Sequence, residues 1–237
     1  MAIRDGIITK ETLNLIMLLD NSGSMEGERI NQLNKAIPVL KEKLIEIADN
    51  EMVDIKVRVI SFSEFPNWEI GSEREGVDIH SLSWKDIGTI GWTNTELAIR
   101  EANKSLKKEY MGSHALHPVV ILVTDGGCTG PHTEYLNEIE KMRNCLSGAN
   151  SSEKVTRVAI GVKDYNRSEL EEFASTGIIK DSPQPLVFGV EKAEDLCKVI
   201  NWATVTSMYS SITNNDTDII NLGEPNWSEE DDNDDIT

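Results

Sequence analysis

Leu13-Asn-Leu-Ile-Met-Leu-Leu19, followed by Asp20-Asn-Ser-Gly-Ser24, is the stretch that decides the fold of this 237-residue chain. A short apolar run of this kind predicts a strand buried on both faces of a sheet. Asp20, Ser22 and Ser24 follow directly, so they bring one carboxylate and two hydroxyls to the carboxyl end of that strand. Because they alternate through a tight loop that Gly23 allows to bend, their oxygens can converge on one ion.

Strand-like and helix-like segments alternate along the rest of the chain. This order predicts an α/β fold, a doubly wound and mostly parallel sheet with helices on both faces. The predicted strands after the first are residues 54–62, 118–124, 155–161 and 185–189. The predicted helices are residues 28–47, 95–106, 134–146, 168–174 and 191–212. Pro38 predicts a kink or a break in the first helix, Asn94 is placed to cap the second, and residues 63–92 are expected to hold an edge strand and a hairpin.

Two further segments carry oxygen ligands to the same edge of the predicted sheet. Thr93 lies in Gly91-Trp-Thr-Asn-Thr95, and Asp125 follows the strongest apolar run of the chain. In open parallel sheets, ligands bind outside the carboxyl ends of the strands, where the strand order reverses. Two carboxylates and three hydroxyls are hard donors that suit Mg²⁺ or Mn²⁺ better than Zn²⁺. The predicted metal ligands are Asp20, Ser22, Ser24, Thr93 and Asp125.

Composition narrows the class of partner. Lys plus Arg number 23 against 41 Asp plus Glu, a net charge of −18, which argues against nucleic acid and against docking on anionic lipid. No stretch reaches the length of a membrane span, and the amino terminus has no apolar signal core. Three widely spaced cysteines make no disulfide framework, so we expect a cytoplasmic protein. The chain divides into a domain of residues 1–212 and an acidic tail, residues 213–237, which we expect to be disordered.

Other residues near these motifs have simpler interpretations. Thr95 is expected to cap a helix rather than bind the ion, and Cys128 to be a loop thiol without a role. His114, His117 and His132 are attributed to chance, because nothing else supplies soft ligands in a plausible order for zinc.

Asp-x-Ser-x-Ser after the first strand, Thr93 in a Gly-rich loop and Thr124-Asp-Gly126 together resemble the von Willebrand factor A domain and its metal-ion-dependent adhesion site. The resemblance covers roughly residues 10–212 and all five ligand positions. It implies about six strands with one antiparallel edge strand, and Mg²⁺ or Mn²⁺ held directly by Ser22, Ser24 and Thr93, with Asp20 and Asp125 acting directly or through water. Trp92 stands where the family usually has glycine, which predicts either a narrower site or an ion that the indole covers.

A narrower resemblance concerns residues 199–211, which are similar to the TerY-type proteins of the bacterial tellurium-resistance group. It implies a role in a stress-response or phosphorylation-linked system, with a kinase or a phosphatase as the partner. The acidic tail departs from that group.

These observations favour a non-catalytic, metal-dependent adaptor that binds a protein partner, whose Asp or Glu completes the coordination of the ion. A metal-dependent hydrolase or phosphatase with Asp20 as nucleophile is one alternative. A second alternative is a subunit associated with a chelatase or another ATPase. A third is a structural subunit that binds by surface alone. Against an enzyme, no nucleophile elbow and no phosphate-binding glycine loop accompany the five oxygen ligands.

Overall fold

The computed structural model describes residues 3–4, 7–8, 10–146, 155–179, 182–212, 220–221 and 225. The strands among them are β1 (Ile3–Arg4), β2 (Ile7–Ile8), β3 (Thr12–Asp20), β4 (Asp54–Phe62), β5 (Pro66–Ile70), β6 (Val77–Asp78), β7 (Val119–Thr124), β8 (Thr156–Val162), β9 (Thr176–Ile179), β10 (Ser182–Pro185), β11 (Val187–Val190) and β12 (Ile220–Asn221). The α-helices are α1 (Glu28–Asn50), α2 (Thr95–Ser105), α3 (Lys108–Met111), α4 (His132–Asn144), α5 (Arg167–Phe173) and α6 (Ala193–Ile212).

The main sheet has the order β11-β8-β7-β3-β4-β5, and β6 also pairs with β4. Its four central pairings are parallel, as predicted: β3 pairs with β4 and β7, and β8 pairs with β7 and β11. β5 and β6 both pair with β4 in the antiparallel sense. The predicted fold class is therefore confirmed, and the antiparallel edge consists of the strand β5 and the short β6.

The register of β3 and β7 positions the predicted site. Leu19 pairs with Val123, so the ends of the two strands, Asp20 and Thr124, come level at the carboxyl edge of the sheet. The chain winds outwards from β3 to β4 on one side and to β7 on the other, so the strand order reverses here. This is the position at which doubly wound sheets bind ligands.

Helices cover both faces of this sheet. On one face α1 packs against α6, and on the other α2 packs against α4, which also contacts α5. Because both faces are covered, the side chains of β3, β7 and β8 are buried along almost their whole length. Continuous burial explains why these strands appear in the sequence as nearly continuous apolar runs rather than as alternating patterns.

Helix α1 corrects the prediction for Pro38. The helix runs without interruption from Glu28 to Asn50, with Pro38 inside it. A proline inside a helix removes one backbone hydrogen bond. Burial of Ile37 and Leu40 on the adjacent turns holds the helix against the sheet in spite of that loss.

The segment before α6 contains two strands that the sequence analysis did not predict. β9 and β10 form an antiparallel pair, and β12 adds to β9 in parallel. Pro183 and Pro185 lie in β10, which is an edge strand, where proline is tolerated. The last strand of the main sheet, predicted at residues 185–189, is β11 at Val187–Val190.

The predicted tail falls largely outside the described residues. Ile220–Asn221 forms β12, whereas residues 213–219, 222–224 and 226–237 are not among those that the structure describes. Within the described part of the chain, no helix combines the length and apolarity needed to cross a bilayer.

His80 joins the end of α1 to the turn after β6, and this contact predicts a pH dependence. Its ring nitrogens lie 2.9 Å from Asp78 and 3.1 Å from Asp49, and the hydrogen bond with Asp78, followed by that with Asp49, raises the pKa of His80 above its ordinary value. A raised folded-state pKa contributes stability at low pH that is lost as the pH rises through it. We expect His80→Gln to lower the free energy of unfolding below about pH 6 and to have little effect above about pH 8. Urea denaturation at both pH values measures this, and an equal loss at both would contradict it.

Candidate metal centre

Asp20 is the buried anchor of the site. It ends β3 and is fully buried, and its two carboxylate oxygens have separate donors. The backbone N–H of Ser22 donates to Oδ1 at 2.8 Å, and the hydroxyl of Thr124 donates to Oδ2 at 2.5 Å. These two bonds fix the start of the loop after β3 and join the end of β3 to the end of β7.

A chain of hydrogen bonds continues from this anchor across the site. The hydroxyls of Ser22 and Ser24 lie 3.0 Å apart, and the hydroxyl of Ser24 donates to Oδ1 of Asp125 at 2.7 Å. Asp20, Ser22 and Asp125 are buried, while Ser24 is exposed. The structure thus brings together four of the five predicted ligands, from two segments about a hundred residues apart in the sequence.

Thr93 comes from a third loop, which backbone hydrogen bonds hold against the first. Gly23 N–H donates to Gly91 O at 3.0 Å, and Ile90 N–H donates to Asn21 O at 2.8 Å. Gly91 has a φ of +65°, and a Cβ there would lie 2.8 Å from the side chain of Glu64, so a glycine is required. Thr93 itself is buried, and its hydroxyl has no hydrogen bond to any residue that the structure describes.

Charge at the site is only partly compensated. Burial raises the pKa of the Asp20 carboxyl above its ordinary value, although the hydrogen bonds from Thr124 and Ser22 act in the opposite direction. Asp125 has a cationic neighbour, because Nη1 of Arg29 lies 3.2 Å from its Oδ2. The same Arg29 nitrogen donates to the carbonyl oxygen of Ser24 at 2.8 Å. The described contacts of Asp20 include no positively charged side chain. A cation placed between the two carboxylates would therefore compensate its charge.

The donor set fits a hard divalent cation. All five side chains offer oxygen, two of them as carboxylates, and the hydroxyl of the buried residue Thr93 has no hydrogen-bond partner among the described residues. Among the described residues there is no group of three or more His, Cys, Asp or Glu side chains that could hold a metal ion. A metal at this position would therefore depend on the serine and threonine hydroxyls, which excludes a soft, thiolate-rich site.

Arg29 provides a test of this arrangement, because its charge lies beside one of the proposed ligands. A guanidinium within a few ångströms of a bound dication repels it. We expect Arg29→Gln to increase the affinity for Mg²⁺ by roughly ten-fold at low ionic strength, and less at high salt. Calorimetric titration measures the change, with Arg167→Gln on α5 as a control. An unchanged or weaker affinity would mean that Arg29 does not oppose the ion.

Several residues near the site make contacts that the sequence did not predict. Asn94 occupies the N-cap position of α2, but its side chain donates to Glu64 O instead of capping the helix, which corrects that prediction. The Cys128 thiol, for which no role was expected, donates to the buried Glu96 at 2.9 Å. No role was predicted for Thr124, which donates a hydrogen bond to Asp20. Its place at the end of β7, the strand beside β3, is the signal from which this bond could have been predicted.

His114 and His132 contact different parts of the structure. His114 accepts a backbone hydrogen bond from Thr12 at the start of β3, whereas His132 begins α4 and contacts Glu172. Trp92, expected to narrow the site or cover the ion, is 69% exposed, so its indole lies mostly in solvent.

Comparison with known proteins completes the description of this centre. The profile of the von Willebrand factor type A domain matches residues 14–201. Inter-alpha-trypsin inhibitor heavy chain H4 from Bos taurus is 29% identical over 146 residues, which cover 58% of this chain and 15% of that protein. A von Willebrand factor type A structure from Catenulispora acidiphila has a TM-score of 0.61 at 16% identity, covering 84% of this chain and 43% of that one.

A second structural relative carries a metal. Proximal thread matrix protein 1 from the mussel byssus, solved with a zinc-occupied MIDAS motif (the metal-ion-dependent adhesion site), has a TM-score of 0.54 at 20% identity. The match covers 84% of this chain and 46% of the mussel protein. This chain therefore spans less than half the length of each of these three proteins. At such identities the two structural matches establish the fold alone.

Proposed function

The chain belongs to the von Willebrand factor type A domain family, and from that premise we propose that it is a non-catalytic adaptor that binds a protein partner through a divalent metal ion. The observation that carries the proposal is the hydrogen-bonded set of Asp20, Ser22, Ser24 and Asp125 beside the buried Thr93. An Asp or Glu of the partner would complete the coordination. Because only two of the five donors are charged, the ion would keep enough positive charge to attract that carboxylate.

Mg²⁺ or Mn²⁺ is the metal that we propose. Oxygen donors without histidine or cysteine favour these hard ions, and the ligands would be Asp20, Ser22, Ser24, Thr93 and Asp125. Zinc occupies the corresponding motif of the mussel protein, so Zn²⁺ belongs in the titration as a competitor. When bound, the ion would supply a positive charge that accepts a partner oxygen.

Exposed apolar side chains near the site support a protein as the partner. Seven large hydrophobic side chains are exposed in the described residues, and three of them, Phe65, Ile90 and Trp92, lie on the two loops that border the metal-binding loop. Aromatic residues are enriched in protein interfaces. Their concentration here favours a macromolecular partner over a small molecule.

The hydrolase alternative finds less support. A nucleophilic Asp20 would have to reach a substrate, yet it is fully buried and both its oxygens accept hydrogen bonds. The described contacts of Asp20 include no His or Lys that could act as an acid or a base. We therefore propose that the chain has no catalytic activity.

The cellular setting is a proposal from resemblance. The three cysteines are free, as a reducing cytoplasm would keep them. A kinase or phosphatase partner, as in TerY-type systems, and an ATPase partner, as in chelatase-like assemblies, are the two settings that we propose to test. Genes beside this one that encode a kinase and a phosphatase would favour the first, and an ATPase gene the second.

The proposed function is tested with Asp125→Asn, which keeps the shape of the side chain and removes its charge. The control is Asp54→Asn at the start of β4, the opposite edge of the sheet, where the carboxylate of Asp54 lies 3.8 Å from Lys10. We expect the wild type and the control to bind one Mg²⁺ by calorimetry and to retain a partner that EDTA releases. Asp125→Asn should lose both.

Other outcomes would favour the alternatives. Retention of the partner in EDTA and by Asp125→Asn would favour binding by surface alone. Metal-dependent hydrolysis of a phosphate ester that Asp125→Asn abolishes would favour an enzyme.

A further inference from the structure

A pocket of about 320 Å³ opens beside the candidate metal centre. Asn21, which lies between Asp20 and Ser22, forms part of its wall, and so does Ile90, three residues before Thr93. The hydrogen bond from Ile90 N–H to Asn21 O joins these two walls. The pocket and the metal centre therefore share the same two loops, and a ligand could occupy both at once.

The pocket carries negative charge that the described residues do not neutralise. Glu64 and Glu69 both line it. Oε1 of Glu69 accepts hydrogen bonds from Ser61 at 2.6 Å and from Asn67 at 2.8 Å, which orient the carboxylate without neutralising it. Neither Glu64 nor Glu69 forms an ion pair with a Lys, Arg or His in the described part of the chain.

Ser63 gives a second, independent indication of a ligand. This residue lines the pocket and is only 5% exposed. Its backbone oxygen accepts from Asn94, but its hydroxyl has no hydrogen-bond partner among the residues described. A ligand group that hydrogen-bonds to this hydroxyl would give it the partner that no described residue supplies.

The rim of the pocket is apolar. Phe65 is 74% exposed and Ile90 is 66% exposed, and both belong to the lining. Lys and Arg side chains place an aliphatic stem on apolar surface and carry their charge at the tip. An apolar rim above two carboxylates and a hydroxyl therefore matches a basic side chain better than an apolar or an acidic one.

We propose that this pocket receives a Lys or Arg side chain from the same partner segment whose Asp or Glu binds the metal. This inference rests on the proposed function and names the chemistry of the partner, a segment with an acidic and a basic residue close together. An extended chain advances about 3.3–3.6 Å per residue. Because the metal centre and the pocket share adjoining loops, the two residues should lie within a few positions of each other.

Charge balance gives a reason for such a pair. The chain carries a net charge of −18, so a partner that offers a carboxylate alone meets a repulsive surface around the ion. A neighbouring cation in the Glu64–Glu69 pocket offsets that repulsion and adds specificity, because a segment of the wrong order or spacing cannot satisfy both positions.

The test uses a phage-displayed random-peptide library selected on the full chain in Mg²⁺, with elution by EDTA. The variant is Glu64→Gln/Glu69→Gln, which preserves shape. The matched control is Glu42→Gln/Glu46→Gln on the exposed side of α1, which changes the net charge equally. We expect the wild type and the control to enrich peptides with an Asp or Glu and a Lys or Arg a few positions apart. The pocket variant should enrich the acidic residue alone.

Synthetic peptides from the selection then measure how much the basic residue contributes to the binding affinity. Replacing the peptide's basic residue by Gln should weaken binding to the wild type about ten-fold and leave binding to the pocket variant unchanged. Mg²⁺ titration of the variant should match the wild type, which checks that it is folded.

Each contrary outcome has a separate meaning. Enrichment of acidic peptides without a basic residue, or equal enrichment of basic residues on the pocket variant, overturns this inference and leaves the proposed function intact. Absence of any Mg²⁺-dependent enrichment overturns the proposed function, and this inference with it.

Discussion

Asp20→Asn is expected to abolish Mg²⁺ binding and, at the same time, to make the metal-free protein more stable at neutral pH. Burial raises the pKa of Asp20. A carboxyl whose folded-state pKa is raised contributes stability at low pH, which is lost as the pH rises through that value. At neutral pH the metal-free wild type has therefore lost stability that it has at low pH, whereas asparagine does not ionise and avoids this loss. The Asn oxygen can still accept from Ser22 N–H.

Bound Mg²⁺ should make the wild type more stable than Asp20→Asn, the reverse of their order in the metal-free state. Loss of a charged ligand should weaken Mg²⁺ binding by about 100-fold or more, beyond the 10–100-fold typical of residues that only support a ligand. At an Mg²⁺ concentration about 100 times the dissociation constant of the wild type, the wild type gains about 2.7 kcal/mol, whereas a variant that binds 100-fold more weakly gains only about 0.4 kcal/mol. Thermal unfolding in EDTA and in Mg²⁺ measures both effects, with Asp54→Asn as the control. A variant less stable than the wild type in EDTA at neutral pH would contradict the sign of the argument.

The second large effect is expected at Arg58, a buried cation on β4 that no carboxylate contacts directly in the described structure. Its guanidinium donates to Asn14 Oδ1 at 2.9 Å and to the backbone oxygens of Ser72 and Tyr110, each at 3.2 Å. It thereby joins β3, the loop after β5 and the short helix α3. Burial lowers the pKa of Arg58, but these acceptors keep it hydrogen-bonded.

Arg58→Met should lower the free energy of unfolding by about 3–5 kcal/mol, because it leaves buried oxygens without donors. Arg58→Lys should recover only part of the loss, since an ammonium group cannot reach acceptors arranged around a planar guanidinium. Arg74→Met in the same loop, an exposed residue, is the control and should change little. Urea denaturation measures all three variants. A fully stable methionine variant would show that the loop accommodates an apolar side chain without this network.

The contrast between Asp20 and Arg58 illustrates what the sequence could predict. Asp20 ends a continuous apolar run, and the predicted parallel sheet places the end of that run beside the end of the next one, so its convergence with Asp125 follows from local patterns. Nothing local distinguishes Arg58 from other charged residues on strands. Its burial depends on carbonyl oxygens that lie between 14 and 52 residues away along the chain.

The same reasoning explains the other differences. The β9–β10 pair was not predicted, because proline and polar residues dominate β10 and its pairing comes from a close neighbour along the chain rather than from apolar periodicity. The contact between Cys128 and Glu96 joins a loop to the first turn of α2, 32 residues away, and neither residue type indicates it. The pocket beside the metal centre likewise depends on how the β4–β5 hairpin packs beside the loops that carry Asn21 and Ile90, which spacing alone does not reveal.

The hydrogen bonds that join the loops after β3 and before α2 have a kinetic consequence. Ser24 and Asp125 lie 101 residues apart in the chain, so an ion held by both would cross-link the loop after β3 to the loop after β7. Local opening of any one of the three loops would then require release of the ion. The backbone amides of Ser22, Gly23 and Ile90 donate the hydrogen bonds that hold these loops together. They should exchange their hydrogens for deuterium more slowly when the ion is bound than when it is absent.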